Sequence, residues 1–359
     1  MADHFTARAV IAHAAPGQLL ARLCDRCDRQ TIRERTASTA HLVNWCGEVD
    51  LAVEPAGHLA LHARSASENG LSVLKMQLAE HIHAAASPRA PAFAWEGDGA
   101  CNPALPYFRE MEVVSARPLT PLMRRVVLAG DAAHYASGGL HVRVLIPPAG
   151  RDPVWPHAAP DGRTLWPTGA DALTPRVYTV REVDIARGEI VIDVVQHAGA
   201  ATPGADWARR ARPGDRVGLL GPGGAGLPPA RRYLLAGDET ALPAIARMVA
   251  ALPAEAQAVV RLEVADAREQ QKLPSAARLD VQWLHRDGAG PGTVDLLERS
   301  VRAIDIPSGA DDLHVWAGCE QKTARALRRH LTRERGLAKC RCAIAAYWRL
   351  GHPGIDLAE

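Results

Sequence analysis

The sequence predicts a multidomain chain: a small α+β unit, then an antiparallel β-barrel, then a doubly wound α/β sheet. Three observations carry that prediction. The 359 residues exceed one typical domain of roughly 100–200 residues. Two stretches of small residues, Pro and Gly divide the chain, Ala84-Ala85-Ala86-Ser87-Pro88-Arg89-Ala90-Pro91 and Gly221-Pro222-Gly223-Gly224-Ala225-Gly226-Leu227-Pro228-Pro229. The three pieces also differ in periodicity, which sets their expected bounds at 1–96, 104–226 and 229–359.

The first piece offers a strand over 6–12 and a helix from Pro16 with Leu19, Leu20 and Leu23 on one face. Two short strands around 49–53 and 59–63 follow, then a helix over 67–81. In the second piece β-branched runs fall at 112–115, 124–128, 141–146, 177–180, 189–195 and 216–220, with almost no helical period. Short strands at such spacing suit an antiparallel barrel. In the third piece, strands at 233–236, 259–264, 281–285 and 313–317 each precede a helical or turn-rich stretch, and 321–331 reads as an amphipathic helix. Such alternation implies a parallel sheet whose ligand sits at the C-terminal ends of the strands.

Composition removes several functions. Lys plus Arg number 42 against 40 Asp plus Glu, a net charge of +2, so the broad basic footprint of a nucleic-acid binder is missing. The first residues do not resemble a signal peptide, and no window approaches the roughly 18 apolar residues of a membrane span. A soluble cytoplasmic protein without membrane insertion is therefore expected. The seven cysteines lack a disulfide-scaffold rhythm and are expected as free thiols. Cys24-x-x-Cys27 and Cys340-x-Cys342 lie about 300 residues apart, too far in sequence to announce a cluster of four soft donors. No metal site is assigned.

The turn Gly237-Asp238-Glu239-Thr240-Ala241-Leu242-Pro243-Ala244-Ile245 follows the apolar run Tyr233-Leu234-Leu235-Ala236. Strand, Gly and an early helical Pro form a turn that points backbone N–H groups at phosphate. Yet Asp238 and Glu239 occupy the positions where a glycine-rich loop would admit it. Gly221, Gly223 and Gly226 spell G-x-G-x-x-G, but Pro228 and Pro229 stand where a helix should open, so these glycines read as a turn closing the barrel.

Arg176-Val177-Tyr178-Thr179-Val180-Arg181 puts a cation and an aromatic on one strand face and hydroxyl-bearing Thr179 on the other. These groups can neutralise a pyrophosphate, stack on a flat ring and bond its polar edge; an exposed Arg beside a buried Tyr is the plain alternative. Cys319 ends a strand and can line a cofactor crevice or simply pack. Arg286 can meet the adenosine end of a nucleotide, a 2′-phosphate included, or sit in solvent. Tyr347-Trp348-Arg349 can cover a flavin or meet an anionic iron chelate, or anchor a tail.

Taken in order, these stretches resemble the siderophore-interacting protein family, flavin-dependent ferric-siderophore reductases of the ferredoxin-reductase superfamily. The resemblance covers about 107–352. It runs through Leu119-Thr120-Pro121-Leu122-Met123-Arg124-Arg125-Val126, Gly139-Leu140-His141-Val142-Arg143-Val144, Arg176 to Thr179, Trp207-Ala208, Pro213-Gly214-Asp215 and Gly221-Pro222-Gly223-Gly224. It continues through the 237–245 turn, Trp283-Leu284-His285-Arg286, the 316–329 strand and helix, and Tyr347-Trp348-Arg349. The first piece resembles a small domain of unknown function often encoded with such reductases.

The resemblance implies a Greek-key, ferredoxin-reductase-type barrel binding FAD and a C-terminal domain binding NAD(P)H, with NADPH favoured. By family pattern Arg176 neutralises the FAD pyrophosphate, Tyr178 stacks on the isoalloxazine and Thr179 bonds near N5. Val180, His197, Trp207, Gly221, Gly223 and Gly224 join them in cofactor binding, and Gly237, Asp238, Glu239, Thr240, Arg286, Cys319, Glu320 and Trp348 serve the nucleotide side. In that setting the 237–245 turn faces the flavin, with Thr240 capping the helix. The family's phosphate loop carries Gly-Pro ahead of its Trp; here Thr202-Pro203 stands there, with one extra residue after His197. Arg124, Arg181 and Arg349 are expected to form a basic mouth for ferric siderophore. The expected activity passes electrons from NAD(P)H through FAD to ferric siderophore, releasing Fe(II). The alternatives are a general flavin or quinone reductase and a non-enzymatic siderophore binder.

Overall fold

The computed structural model describes residues 4–28, 31–88, 90–100, 102–196, 202–224, 226–306 and 312–352. The chain begins with β1 (Phe5–Ala12), α1 (Pro16–Arg26), β2 (Ile32–Arg35), β3 (Thr39–Asn44), β4 (Gly47–Val53), β5 (His58–Ser65), α2 (Glu68–Ala85) and β6 (Trp95–Gly97). It continues with β7 (Phe108–Thr120), β8 (Met123–Ala129), β9 (His141–Ile146), β10 (His157–Ala158), β11 (Thr164–Leu165), β12 (Thr174–Asp184), β13 (Glu189–Val195), α3 (Pro203–Arg210) and β14 (Arg216–Gly223). The last third holds β15 (Arg232–Gly237), α4 (Leu242–Ala250), β16 (Gln257–Val264), β17 (Arg278–His285), α5 (Leu296–Arg302), β18 (Leu313–Glu320), α6 (Gln321–Arg329) and β19 (Cys342–Trp348). Two compact units result, Met1–Phe108 with Val154–Leu173, and Arg109–Pro153 with Thr174–Glu359.

In the first unit an antiparallel sheet of order β2-β3-β4-β5-β1-β6 carries α1 and α2 on its apolar face. Strict alternation buries Ala7, Ala9 and Ile11 of β1. Leu71, Leu74, Leu78 and Ile82 form the buried stripe of α2, whose first turn is capped by the Ser67 hydroxyl accepting from Gly70 N at 3.0 Å. Residues Val154–Leu173, placed by periodicity inside the barrel stretch, fold with this unit. There Trp95 Nε1 donates to Asp161 O at 2.8 Å and the Asp161 carboxylate meets His83 Nε2 at 3.0 Å.

In the second unit six strands close a barrel in the order β12-β13-β8-β7-β14-β9. Its interior is filled by Val126, Leu128, Val142, Val144, Ile190, Ile192 and Val217, and α3 plugs one side with Trp207 and Ala208. The α/β part is a parallel sheet of order β17-β16-β15-β18-β19. Its faces are separate cores. Leu235, Val260, Leu262 and Trp316 pack with α4 on one side, and Leu234, Val315, Ala317 and Cys319 pack with α5 and α6 on the other.

The chain leaves β15 towards β16 on one side and returns to β18 on the other, so the order reverses between β15 and β18. Open parallel sheets bind ligands at the strand C-termini of such a reversal. Two findings differ from the sequence expectation. The stretch 342–348 is a fifth parallel strand rather than a tail, and α6 stops at Arg329 before a π-helical turn over His330–Glu334.

Candidate functional site

At the reversal, β15 ends on Gly237, which lies in register with Gly318 of β18. A Cβ on Gly237 would stand 2.5 Å from Ala241 Cβ and 2.8 Å from Gly318 O. Only glycine lets the chain turn there into α4. Asp238, the next residue, is buried, with 5% of its surface exposed. One carboxylate oxygen accepts from Thr240 N at 2.9 Å and from the Thr240 hydroxyl at 2.5 Å. The other accepts from Glu320 N at 3.1 Å and from Trp348 Nε1 at 2.8 Å. Asp238 thereby ties the ends of β15, β18 and β19 together. Burial, then the neighbouring Glu239 charge, pushes its pKa up to about 6.

The expected helix cap differs. Thr240 does not cap α4: its hydroxyl donates to Asp238, while Ala241 N and Leu242 N both reach Asp238 O at 3.1 Å. Asp238 competes better for those amides because its side chain already folds the turn back on itself. Glu320 caps α6 instead, its carboxylate accepting from Lys322 N, Thr323 N and, across the cleft, Leu350 N.

Arg286 is not the solvent-facing nucleotide cation read from its strand-end position. It is buried and held by both oxygens of Glu239 and by Glu263 at 3.3 Å. Two buried carboxylates require a counter-charge, and this guanidinium supplies it. Cys319 is likewise not directed to the crevice. It is fully buried on the α5/α6 face with Val315 and Ala317, because odd-numbered residues of β18 share that face, and burial drives its thiol pKa up.

On the barrel side, β12 pairs with β9 so that Thr179 lies opposite His141. Arg176 is half-buried, and its guanidinium touches its neighbour's carbonyl, Pro175 O, at 2.6 Å. Tyr178 lies against the start of α3. A Cβ on Gly204 would fall 1.8 Å from its hydroxyl, so the glycine is what allows the aromatic to sit there. Thr202 provides no side-chain cap, so among the described residues the Gly204 and Ala205 amides at the start of α3, beside Tyr178, have no side-chain partner. Burial lifts the Tyr178 hydroxyl to about 12, against the lowering effect of Arg176. Thr179 and Val180 are buried. Trp207 serves the barrel core; Gly221 and Gly223 are not the turn read from sequence but among the last strand residues of β14, paired with β9 across a bulge, with Gly224 against the His141 ring. His197 lies outside the described residues.

Of the expected basic mouth, the structure leaves one member open. Arg124 donates to Ala208 O at 2.6 Å and Ala116 O at 2.8 Å, bracing β8 against α3 and β7. Arg181 lies 3.6 Å from buried Asp193, which Arg125 holds with two bonds of 2.8 Å. Arg349 is exposed.

Two residues given no role from the sequence, Arg247 and His141, join the barrel to the parallel sheet, His141 through Tyr347. Arg247, on the otherwise apolar α4, donates to Val180 O at 2.9 Å and Tyr135 O at 3.0 Å. His141 Nε2 and the Tyr347 hydroxyl are 2.6 Å apart, and their rings meet edge to face at 5.5 Å. Burial holds the His141 pKa down, keeping the imidazole neutral. A lone Arg among Leu, Pro, Ala, Ile, Met and Val was the available signal for Arg247; nothing local marked His141. Strand β12, the turn after β15 and the aromatics of β19 therefore converge.

Among the described residues no group of three or more His, Cys, Asp or Glu side chains is placed to hold a metal ion, and no helix is long and apolar enough to cross a membrane. The family model described as siderophore-interacting FAD-binding domain matches residues 112–226, and that described as siderophore-interacting protein matches 230–351. The chain is 29% identical over 250 residues to ferric vibriobactin reductase ViuB of Vibrio cholerae, covering 68% of this chain and 90% of that one. It is 28% identical over 249 residues to the NADPH-dependent ferric-chelate reductase of Escherichia coli, covering 67% and 92%. A siderophore utilization protein from T. fusca, solved by crystallography, superposes with a TM-score of 0.58 at 38% identity, over 69% of this chain and 95% of that one.

Proposed function

Because the chain belongs to the siderophore-interacting protein family, we propose that it is a reductase that holds FAD, draws on NADPH and delivers electrons to ferric siderophores. The observation that carries this reading is the seat made by Arg176, Tyr178 and the uncapped start of α3. A cation, a flat ring and free N–H groups together fit a pyrophosphate attached to an aromatic heterocycle. FAD, when bound, would take a hydride equivalent from NADPH and pass its electrons singly to ferric iron, which is substrate here.

The chain's own part is position and charge. Arg176 neutralises the pyrophosphate, with the α3 amides beside it. Tyr178 supplies a face for the ring system and Thr179 a hydroxyl for its edge, while Val180, its backbone held by Leu140 and Arg247, serves by fixing the strand beneath. His197, Trp207, Gly221, Gly223 and Gly224 complete the flavin side, Trp207 by fixing α3 to the barrel. On the nucleotide side the turn Gly237, Asp238, Glu239 and Thr240 shapes the crevice floor. Asp238 orients Trp348 and the Glu320 backbone, and Arg286 acts through Glu239 by locking that turn. Arg349 meets the anionic chelate. Electron transfer needs no side-chain acid or base, and none is assigned. The domain roles follow: 1–96 accessory, 104–226 FAD-binding and 229–359 NADPH-binding, in a protein working where NADPH is supplied, the cytoplasm.

Replacing Arg176 and Arg349 in turn separates the steps. Arg176→Ala should lower FAD content of the purified protein, and Arg349→Ala should keep FAD yet slow reoxidation by ferric siderophore. Full FAD content in Arg176→Ala would count against the seat.

A further inference from the structure

Arg247 is the one charged side chain of α4, whose other residues are all apolar. It is half-buried, no carboxylate pairs with it among the described residues, and burial pushes its pKa down. Its two terminal nitrogens reach across to the barrel instead. Nη1 donates to Val180 O at 2.9 Å and Nη2 to Tyr135 O at 3.0 Å. Taking a cation out of water without a counter-charge costs stability, and a well-packed apolar side chain would hold the same contact as firmly. Cohesion alone therefore does not account for a guanidinium here.

What the guanidinium grips is the point where β12 leaves its ladder. Val180 pairs with Ile192 and Glu182 with Val191, so Arg181 is an extra residue. Such a bulge interrupts the ladder and bends the strand, and bulges beside active sites re-aim side chains. Val180 N is fixed by Leu140 O at 2.8 Å and Val180 O by Arg247, which sets the course of β12 directly after Tyr178 and Thr179. The start of α4 follows the turn Gly237 to Thr240, and Leu242 and Arg247 are separated by roughly 8 Å, five steps of 1.5 Å along the helix. One short helix thus connects the crevice floor to the Tyr178 strand. A second bridge lies elsewhere: buried Glu269, after β16, accepts from the Thr120 hydroxyl at 2.5 Å and Leu122 N at 2.9 Å, holding the β7–β8 turn.

We propose that Arg247 is a positioning residue for the redox reaction: its two bonds fix β12 against α4 and so set the distance and angle between a flavin on the barrel and a nicotinamide in the crevice. The proposal rests on the reductase reading and deepens it. In the step concerned, the C4–H bond of NADPH breaks and its hydrogen passes with both bonding electrons to flavin N5, leaving NADP⁺ and flavin reduced by two electrons. Arg247 touches neither partner. It acts through Val180 on where Tyr178 and Thr179 stand, and misplacement by about 1 Å costs such a step about a hundredfold.

Arg247→Met keeps the length and apolar packing of the side chain and removes both bonds, whereas Arg247→Lys keeps the charge but lacks the planar fork that spans two acceptors. Glu269→Ala is the control, because it releases the β7–β8 turn without touching β12 or α4. In the full chain without cofactor, hydrogen–deuterium exchange over 174–184 should quicken about fivefold in Arg247→Met; in Glu269→Ala it should quicken over 117–123 instead. With FAD bound, stopped-flow mixing with NADPH should show flavin reduction slowed about tenfold or more in both Arg247 variants and parent-like in Glu269→Ala. FAD content, and reoxidation of dithionite-reduced protein by ferric siderophore, should match the parent throughout.

Parent-like reduction in Arg247→Met overturns the proposal, as does full recovery in Arg247→Lys, since charge would then suffice. Equal slowing in Glu269→Ala overturns it too, because any loosening of the junction would have the same effect. Circular dichroism checks folding, and if Arg247→Met fails that check the lysine variant decides by the same two measurements. The reductase reading fails separately, if NADPH does not reduce the FAD-loaded parent.

Discussion

Replacing Gly204 by alanine tests the seat around Tyr178 at one atom. Inside a helix, glycine to alanine ordinarily stabilises by about 1 kcal/mol. Here the new Cβ would lie 1.8 Å from the Tyr178 hydroxyl and 3.0 Å from the ring carbon bearing it. Since carbon contacts settle at about 3.5 Å, either Tyr178 or the start of α3 must retreat by more than about 1 Å. Overpacking of this kind costs roughly 1–3 kcal/mol, which outweighs the propensity gain.

In the proposed FAD seat, both escapes move a group assigned to the pyrophosphate and ring system. FAD should therefore bind about tenfold or more weakly, each tenfold being about 1.4 kcal/mol. The assay is reconstitution of apo-protein, following flavin fluorescence, in a cycle with Tyr178→Phe. That second change deletes the oxygen the Cβ meets, so the double variant should recover part of the affinity lost by Gly204→Ala alone. An alanine variant that binds FAD as tightly as the parent, with no coupling to Tyr178→Phe, would refute the reasoning.

Other consequences follow from the buried charges. Asp238 titrates near 6 when folded but near 3.9 when unfolded, so its contribution to stability is present at low pH and falls as pH rises across that window, by about 3 kcal/mol; thermal melts of Asp238→Asn should show a flatter pH dependence there than the parent's. Arg286→Met leaves Glu239 and Glu263 buried without a counter-charge and should cost about 3–5 kcal/mol, read as an early melting transition; an unchanged melt would mean that the cluster is wetter than its burial indicates. Tyr347→Phe removes the 2.6 Å bond to His141 and should cost about 1 kcal/mol, while the ring contact persists and FAD content is kept.

The broad architecture was legible because its signals are local. β-branched runs marked all six barrel strands, and the strand–helix alternation marked four of the five parallel strands. The fifth, β19, reads Cys-Ala-Ile-Ala-Ala-Tyr-Trp and lacks a period-2 pattern because both its faces are partly covered. The site was legible as residue types but not as partners. Arg286 read as a free strand-end cation because Glu239 and Glu263 lie 47 and 23 residues away in sequence. Arg181 read as a mouth residue because nothing local announces Asp193 beneath it. Residues Val154–Leu173 carried no sign that they fold with the first unit, since that depends on Asp161 meeting Trp95 and His83 across the chain.

The central claim is that electrons leave this protein for ferric siderophore, and anaerobic single-turnover reoxidation tests it most directly. Protein loaded with FAD and reduced by one equivalent of NADPH is mixed with ferric siderophore, free flavin or quinone, with a ferrous trap present. The account predicts that ferric siderophore reoxidises it fastest and that trapped Fe(II) appears in step. Faster reoxidation by free flavin or quinone than by every ferric chelate would contradict it.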